Sequence, residues 1–145
     1  MKVLIQRVRE ASVTVNQQCV GQIDQGILAL VGIEKHDSPE ILEKMCRKLL
    51  AYRIFSDSDG KMNLSVSDIH GGLLAISQFT LAADTRKGLR PGFSSAAPPE
   101  QAQQLFDQFL AMLRASHTTV ETGIFGADMK VALLNDGPVT FLLEM

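Results

Sequence analysis

Nowhere in the 145 residues do about 18 apolar residues run together, which excludes a membrane-spanning helix. The opening Met1-Lys2-Val3-Leu4-Ile5-Gln6-Arg7 meets polar residues after three apolar ones. A signal peptide needs roughly 7–15 apolar residues, so the expectation is a cytoplasmic protein. Cysteine is scarce: Cys19 and Cys46 make neither a CxxC pair nor zinc-ligand spacing. Cys46 stands among Leu42, Met45, Leu49 and Leu50 and reads as a small buried hydrophobe. A surplus of positive charge is also missing. The net charge of −2 excludes a general nucleic-acid coating role, so any such contact is local. The chain has no GxSxG elbow, no HExxH and no P-loop. Its three histidines, His36, His70 and His117, have no nucleophile or carboxylate at motif spacing. No metal and no cofactor is expected.

What is present is an ordinary globular composition, 46% apolar and 21% charged. A chain of this length buries roughly 68–70% of its unfolded surface, enough for one domain over residues 1–145 with a core of its own. Val3, Ile5 and Arg7 share one face of an extended segment, and Leu4, Gln6 and Val8 the other. Alternation returns in Ala11–Val15 and Cys19–Ile23, while Ile27–Val31 is apolar on both faces, as a central strand should be. Asp37-Ser38-Pro39-Glu40 is a helix start. Ile41, Leu42, Met45, Cys46, Leu49 and Leu50 then repeat at helical spacing, predicting a helix of about 12–14 residues. Leu73–Leu81 reads as a strand, 82–97 as a long loop, and Pro98-Pro99-Glu100 as the start of a second helix. Its buried stripe is Ala102, Leu105, Phe106, Phe109, Leu110 and Leu113. Thr118–Glu121, Lys130–Leu134 and Val139–Leu143 read as closing strands. Together these predict an α+β fold: a barrel-like, mostly antiparallel β domain with a sheet lid and two outer helices.

Three places carry possible chemistry. In Ser77-Gln78-Phe79-Thr80-Leu81, a strand would put Gln78 and Thr80 on the face of Leu74 and Ile76, as if leaving the core for a cleft. An amide and a hydroxyl there suit a polar substrate or an oxyanion, although polar strand ends are also ordinary. Asn135-Asp136-Gly137-Pro138-Val139-Thr140 joins two apolar runs and reads as a tight turn with an accessible backbone. Arg86, Lys87 and Arg90 lie on a Gly/Pro loop, where they either meet phosphates or are simply solvated.

The first two of these segments, Ser77-Gln78-Phe79-Thr80-Leu81 and Asn135-Asp136-Gly137-Pro138-Val139-Thr140, resemble the two signature motifs of the D-aminoacyl-tRNA deacylases. They stand in the family's order, about 55 residues apart. Arg7-Val8-Arg9-Glu10-Ala11-Ser12-Val13, Gly60-Lys61-Met62-Asn63 and the stretch from Gly123 to Met129 also fit, so the resemblance covers essentially the whole chain. Gly92 stands where family members commonly carry serine. The resemblance implies a homodimer that hydrolyses D-aminoacyl-tRNA and glycyl-tRNA and refuses L-aminoacyl-tRNA. It implies tRNA as the partner, with no DNA and no membrane. Catalysis would be substrate-assisted, through the 2′-hydroxyl of the terminal adenosine. Gln78, Phe79 and Thr80 would hold the acyl group, with Ser77 beside them. Gly137 and Pro138, as a cis unit from the partner subunit, would police chirality. Phe125 and Met129 would pack on the adenine, Arg7 would support the Gly-Pro turn, and Arg86, Lys87 and Arg90 would meet phosphates. Two alternatives stand beside this: a tRNA-binding module without catalysis, and a hydrolase using Thr80 as nucleophile. For the second, the sequence offers no base to activate the hydroxyl.

Overall fold

The computed structural model describes residues 1–86 and 88–145, and Lys87 lies outside them. The alternating pattern at the start forms one long strand, β1 (Lys2–Val15), which continues through Arg9-Glu10. β2 (Gln18–Ile23) returns beside its second half across Asn16 and Gln17, both at positive φ. β3 (Gly26–Gly32) pairs with its first half, so β2 and β3 share one edge of β1. The other edge is taken along nearly its whole length by β8 (Lys130–Glu144).

α1 (Pro39–Ala51) and the small hairpin of β4 (Phe55–Ser56) and β5 (Met62–Leu64) lead to β6 (Gly72–Ser77). α2 (Pro99–Ser116) leads on to β7 (Val120–Thr122). β6 lies parallel to β3 and to β7, in the order β2-β1-β3-β6-β7 with β8 on β1. The sheet is therefore mostly antiparallel, as patterning predicts, with two parallel pairs, β3–β6 and β6–β7. Parallel neighbours need long crossovers, and the two helical segments supply them. A Cβ on Gly21 would stand 2.6 Å from the Thr122 carbonyl, so β2 and β7 approach closely and the sheet nearly closes into a barrel.

Because side chains alternate across a strand, the sheet has two apolar faces. Val3, Ile5, Ile27, Ala29, Val31, Leu73 and Ala75 face the helices. The predicted stripe of α2, from Ala102 to Leu113, and Leu42, Met45, Cys46, Leu49 and Leu50 of α1 are all buried in this layer. Val8, Ala11, Val13, Ile23, Leu28, Leu74 and Ile76 fill the other face. Asp37 does not cap α1. Its carboxylate accepts the buried Met1 ammonium at 2.6 Å and the Glu34 N–H at 2.7 Å, and Ser38 is the cap residue.

Two predicted elements change character. The strand expected to reach Leu81 ends at Ser77. The Gln78 N–H still bonds the Val31 carbonyl at 2.7 Å, but Phe79–Ala82 then coil into a 3-10 turn closed by Leu81 N–H to Gln78 O. Gln78 and Thr80 therefore do not continue the face of Leu74 and Ile76. The expected turn over Asn135–Thr140 is instead a bulge inside β8. Gln6 pairs with Thr140 and Val8 with Asn135, so the four residues 136–139 oppose the single residue Arg7.

Candidate active site

A cavity of about 710 Å³ opens where β6 ends. That is the size of an ordinary small-ligand site. One wall is Ser77, Gln78 and Phe79; another comes from the segment preceding β8 and includes Phe125 and Met129. Phe93 and the residues entering α2 complete it. Each wall has a local cause. Phe125 leans on Phe106 of α2, with ring centroids 6.2 Å apart. Met129 seats its sulfur over Gly123, where a Cβ would come within 2.4 Å of it. The 3-10 turn leaves Phe79 57% exposed, and its ring meets that of Phe93 at 5.1 Å.

Gln78 donates from Nε2 to Thr80 Oγ1 at 2.6 Å. Thr80 is exposed and lies outside the residues lining the cavity. Its recorded partner is an amide, which removes no proton. The first N–H groups of a helical turn have no acceptor within it. Here Leu81 is the first to find one, at Gln78 O, which leaves the N–H groups of Phe79 and Thr80 without an acceptor among the described residues.

The Gly137–Pro138 peptide, which is cis, crowns the bulge of β8. Neither residue lines the cavity of its own chain. Arg7, half-buried beneath it, donates from Nε to the Asp136 carbonyl at 2.8 Å and from Nη1 to the Ile54 carbonyl at 2.7 Å. The Asp136 carboxylate lies 3.4 Å from Arg9 and 3.9 Å from Arg7. Gly137 has φ +144°, and a Cβ there would stand 2.7 Å from Val139 Cγ2 and 3.1 Å from Arg7 Nη2. A close-packed glycine is required at this position.

On the loop, Arg86 grips Asp84 through Nε at 2.9 Å and Nη2 at 2.8 Å. These hydrogen bonds hold the Asp84 carboxyl far below the ordinary aspartate value. Arg90 is exposed, and Lys87 falls outside the described residues. His117 bonds the Gly71 carbonyl at 2.7 Å, a structural use. The loop's ends are pinned by Asp84 and Gly92, which exchange N–H···O bonds of 2.7 and 3.0 Å. The nearest atom to a Cβ on Gly92 would be the Asp84 oxygen at 3.7 Å, so serine would fit there too.

Sequence reasoning missed Phe93 and the wall of Ala96–Pro99. Phe93 sits in an aperiodic Gly/Pro loop, and Pro98-Pro99 signalled only a helix start. An aromatic residue stranded in a polar loop was the available signal for Phe93.

A family model described as D-Tyr-tRNA(Tyr) deacylase matches residues 4–144. The D-aminoacyl-tRNA deacylase of Teredinibacter turnerae is 69% identical over 144 residues, covering 99% of both chains. The solved structure of the c-Myc DNA Unwinding Element Binding Protein has a TM-score of 0.96 at 43% identity, covering 100% of this chain and 99% of that one. A probable eukaryotic D-amino acid tRNA deacylase shares the fold, with a TM-score of 0.86 at 17% identity over 99% of this chain and 98% of its own. The chain belongs to the D-aminoacyl-tRNA deacylases, a family of hydrolases.

Proposed function

We propose that the protein hydrolyses the ester between a D-amino acid and the terminal ribose of tRNA, accepts glycyl-tRNA, and refuses L-aminoacyl-tRNA. The observation that carries this is the joining of Ser77, Gln78, Phe79, Phe125 and Met129 around one cavity in a chain of this family. An aminoacyl ester is activated and needs orientation and charge stabilisation more than a strong base. The Phe79 and Thr80 N–H groups face the developing oxyanion, and the vicinal 2′-hydroxyl of the terminal adenosine supplies the attacking or activating group. Phe125 and Met129 stack on the adenine.

Chirality is read by backbone. Gly137 and Pro138 reach into the cavity from the partner subunit of a homodimer. Their carbonyls leave room for hydrogen on the L side of Cα and for nothing larger. Glycine carries hydrogen on both sides, so the same device cannot refuse it. Exposed Leu134 and Leu142 on β8 support a second copy as the cover for that strand. Arg86, Lys87 and Arg90 contact tRNA phosphates without reading bases. Incubation with one tRNA charged with D- or with L-amino acid tests the proposal. Ester loss from the D form alone is expected. Binding with both esters retained would instead identify a tRNA-binding module.

A further inference from the structure

The bulge that carries Gly137 and Pro138 is closed at its neck by a single side chain. The Asn135 Oδ1 accepts the Val139 N–H at 2.8 Å. Its Nδ2 donates to the Val139 carbonyl at 3.4 Å and to Thr140 Oγ1 at 3.1 Å. One planar amide thus satisfies both backbone groups of Val139, as a neighbouring strand would. Thr140 Oγ1 also accepts Gln6 Nε2 at 3.2 Å, which ties the neck to β1. On the other side of the loop, Arg7 holds the Asp136 carbonyl. Gly137 and Pro138 are therefore suspended between an anchor on the residue before them and an anchor on the two residues after them.

We propose that Asn135, seconded by Thr140 and Gln6, is a positioning residue for chiral discrimination: it sets where the Gly137 and Pro138 carbonyls point. The proposal rests on the reading of Gly137 and Pro138 given above. The chemistry selects asparagine closely. Asp keeps the acceptor for the Val139 N–H but has no proton for Val139 O or Thr140. Ala has neither group. A pocket that separates a hydrogen from a methyl group at Cα works over about an ångström, and displacements of that size cost large factors in rate. Loosening the neck lets the carbonyls retreat, which admits the L ester and misplaces the D ester.

The test measures kcat/KM for D- and L-alanyl esters of one tRNA with the wild type, Asn135→Ala, Asn135→Asp and Thr140→Val, each checked for cooperative unfolding. The D-over-L ratio is expected to fall about tenfold or more in Asn135→Ala. In Asn135→Asp and Thr140→Val, which each keep part of the staple, it should fall less. Should Asn135→Ala fail to fold, the same graded fall in the other two variants carries the test. A ratio unmoved in the folded variants, even with lower activity or stability, would overturn the positioning role. A wild type that hydrolyses D and L esters alike would overturn the Gly137–Pro138 reading itself.

Discussion

Thr80 illustrates how a single residue's partners limit its chemistry. Its hydroxyl meets the Gln78 amide at 2.6 Å, and an amide cannot take up its proton. A covalent nucleophile, once removed, usually costs several orders of magnitude in kcat. Thr80→Ala, by contrast, is expected to keep activity within about tenfold of wild type, since it loses one side-chain hydrogen bond worth roughly 0.5–1.5 kcal/mol. Single-turnover deacylation of a D-aminoacyl-tRNA measures this, and an acyl-Thr80 adduct seen by mass spectrometry would refute it. Gly26 is a second case. Its backbone runs so close to Gly72 that a Cβ would lie 1.9 Å from the Gly72 carbonyl. No rotamer relieves a clash with backbone. Gly26→Ala should therefore cost more than about 3 kcal/mol, at the upper end of overpacking effects, read as a lowered urea midpoint.

At the level of elements, the loop between the 3-10 turn and α2 carries one of its cations, Arg86, under restraint. Arg86 is bound to Asp84, whose carboxyl is held low first by the hydrogen bond from the Arg86 side chain. A depressed carboxylate adds stability above its unfolded value, about 3.9, and loses it as pH falls through the folded value. The pair is therefore intact throughout the neutral range, and Arg86 meets any phosphate in competition with Asp84. Asp84→Asn is expected to tighten tRNA binding at low salt near pH 7, with the gain shrinking as ionic strength rises. Titration at two salt concentrations tests this; unchanged affinity at both would mean that Arg86 touches no phosphate. Asp57 and Asp68 are lowered in the same direction, by Asn63 and Ser65. The stability these three carboxylates contribute should accordingly persist down to about pH 4 and diminish below it, as chemical denaturation across pH would record.

For the whole molecule, the decisive feature of the proposed function is a site divided between two copies of the chain. One chain lines the cavity with Ser77, Gln78, Phe79, Phe125 and Met129, while Gly137 and Pro138 sit elsewhere on β8. Among the described residues β8 pairs only with β1, which leaves its other edge open, and its Leu134 and Leu142 are about half exposed. Long apolar edge strands are normally covered. The proposed dimer makes a sharp expectation: Leu142→Glu puts a charge on that exposed strand, and should shift the chain to monomer in sedimentation velocity and remove deacylation together. A monomeric variant with full activity would show that each chain works alone.

Much of this architecture was legible in short-range pattern. The stripe of α2, the Pro39 start of α1 and the two-faced burial of β3 follow from periodicity and capping chemistry, which act over one or two turns. The motif residues of β6 and β8 were likewise visible as residue types. Their surroundings were not. The last bond tying β6 to β3 runs from the Gln78 N–H to the Val31 carbonyl, a partner 47 residues away, and the strand is then replaced by the 3-10 turn of Phe79–Ala82. The parallel pairing of β3 with β6 depends on helices packing across one face, and periodicity within a strand carries no trace of its neighbour's direction. Arg7 alternates as a core-facing residue, yet its guanidinium serves carbonyls at Asp136 and Ile54, at opposite reaches of the chain. Phe93 joins the cavity through a loop with no period at all. Local propensity fixes which way a segment coils, whereas the lining of a cavity is settled only when distant segments close on one another and leave some surfaces covered and others open.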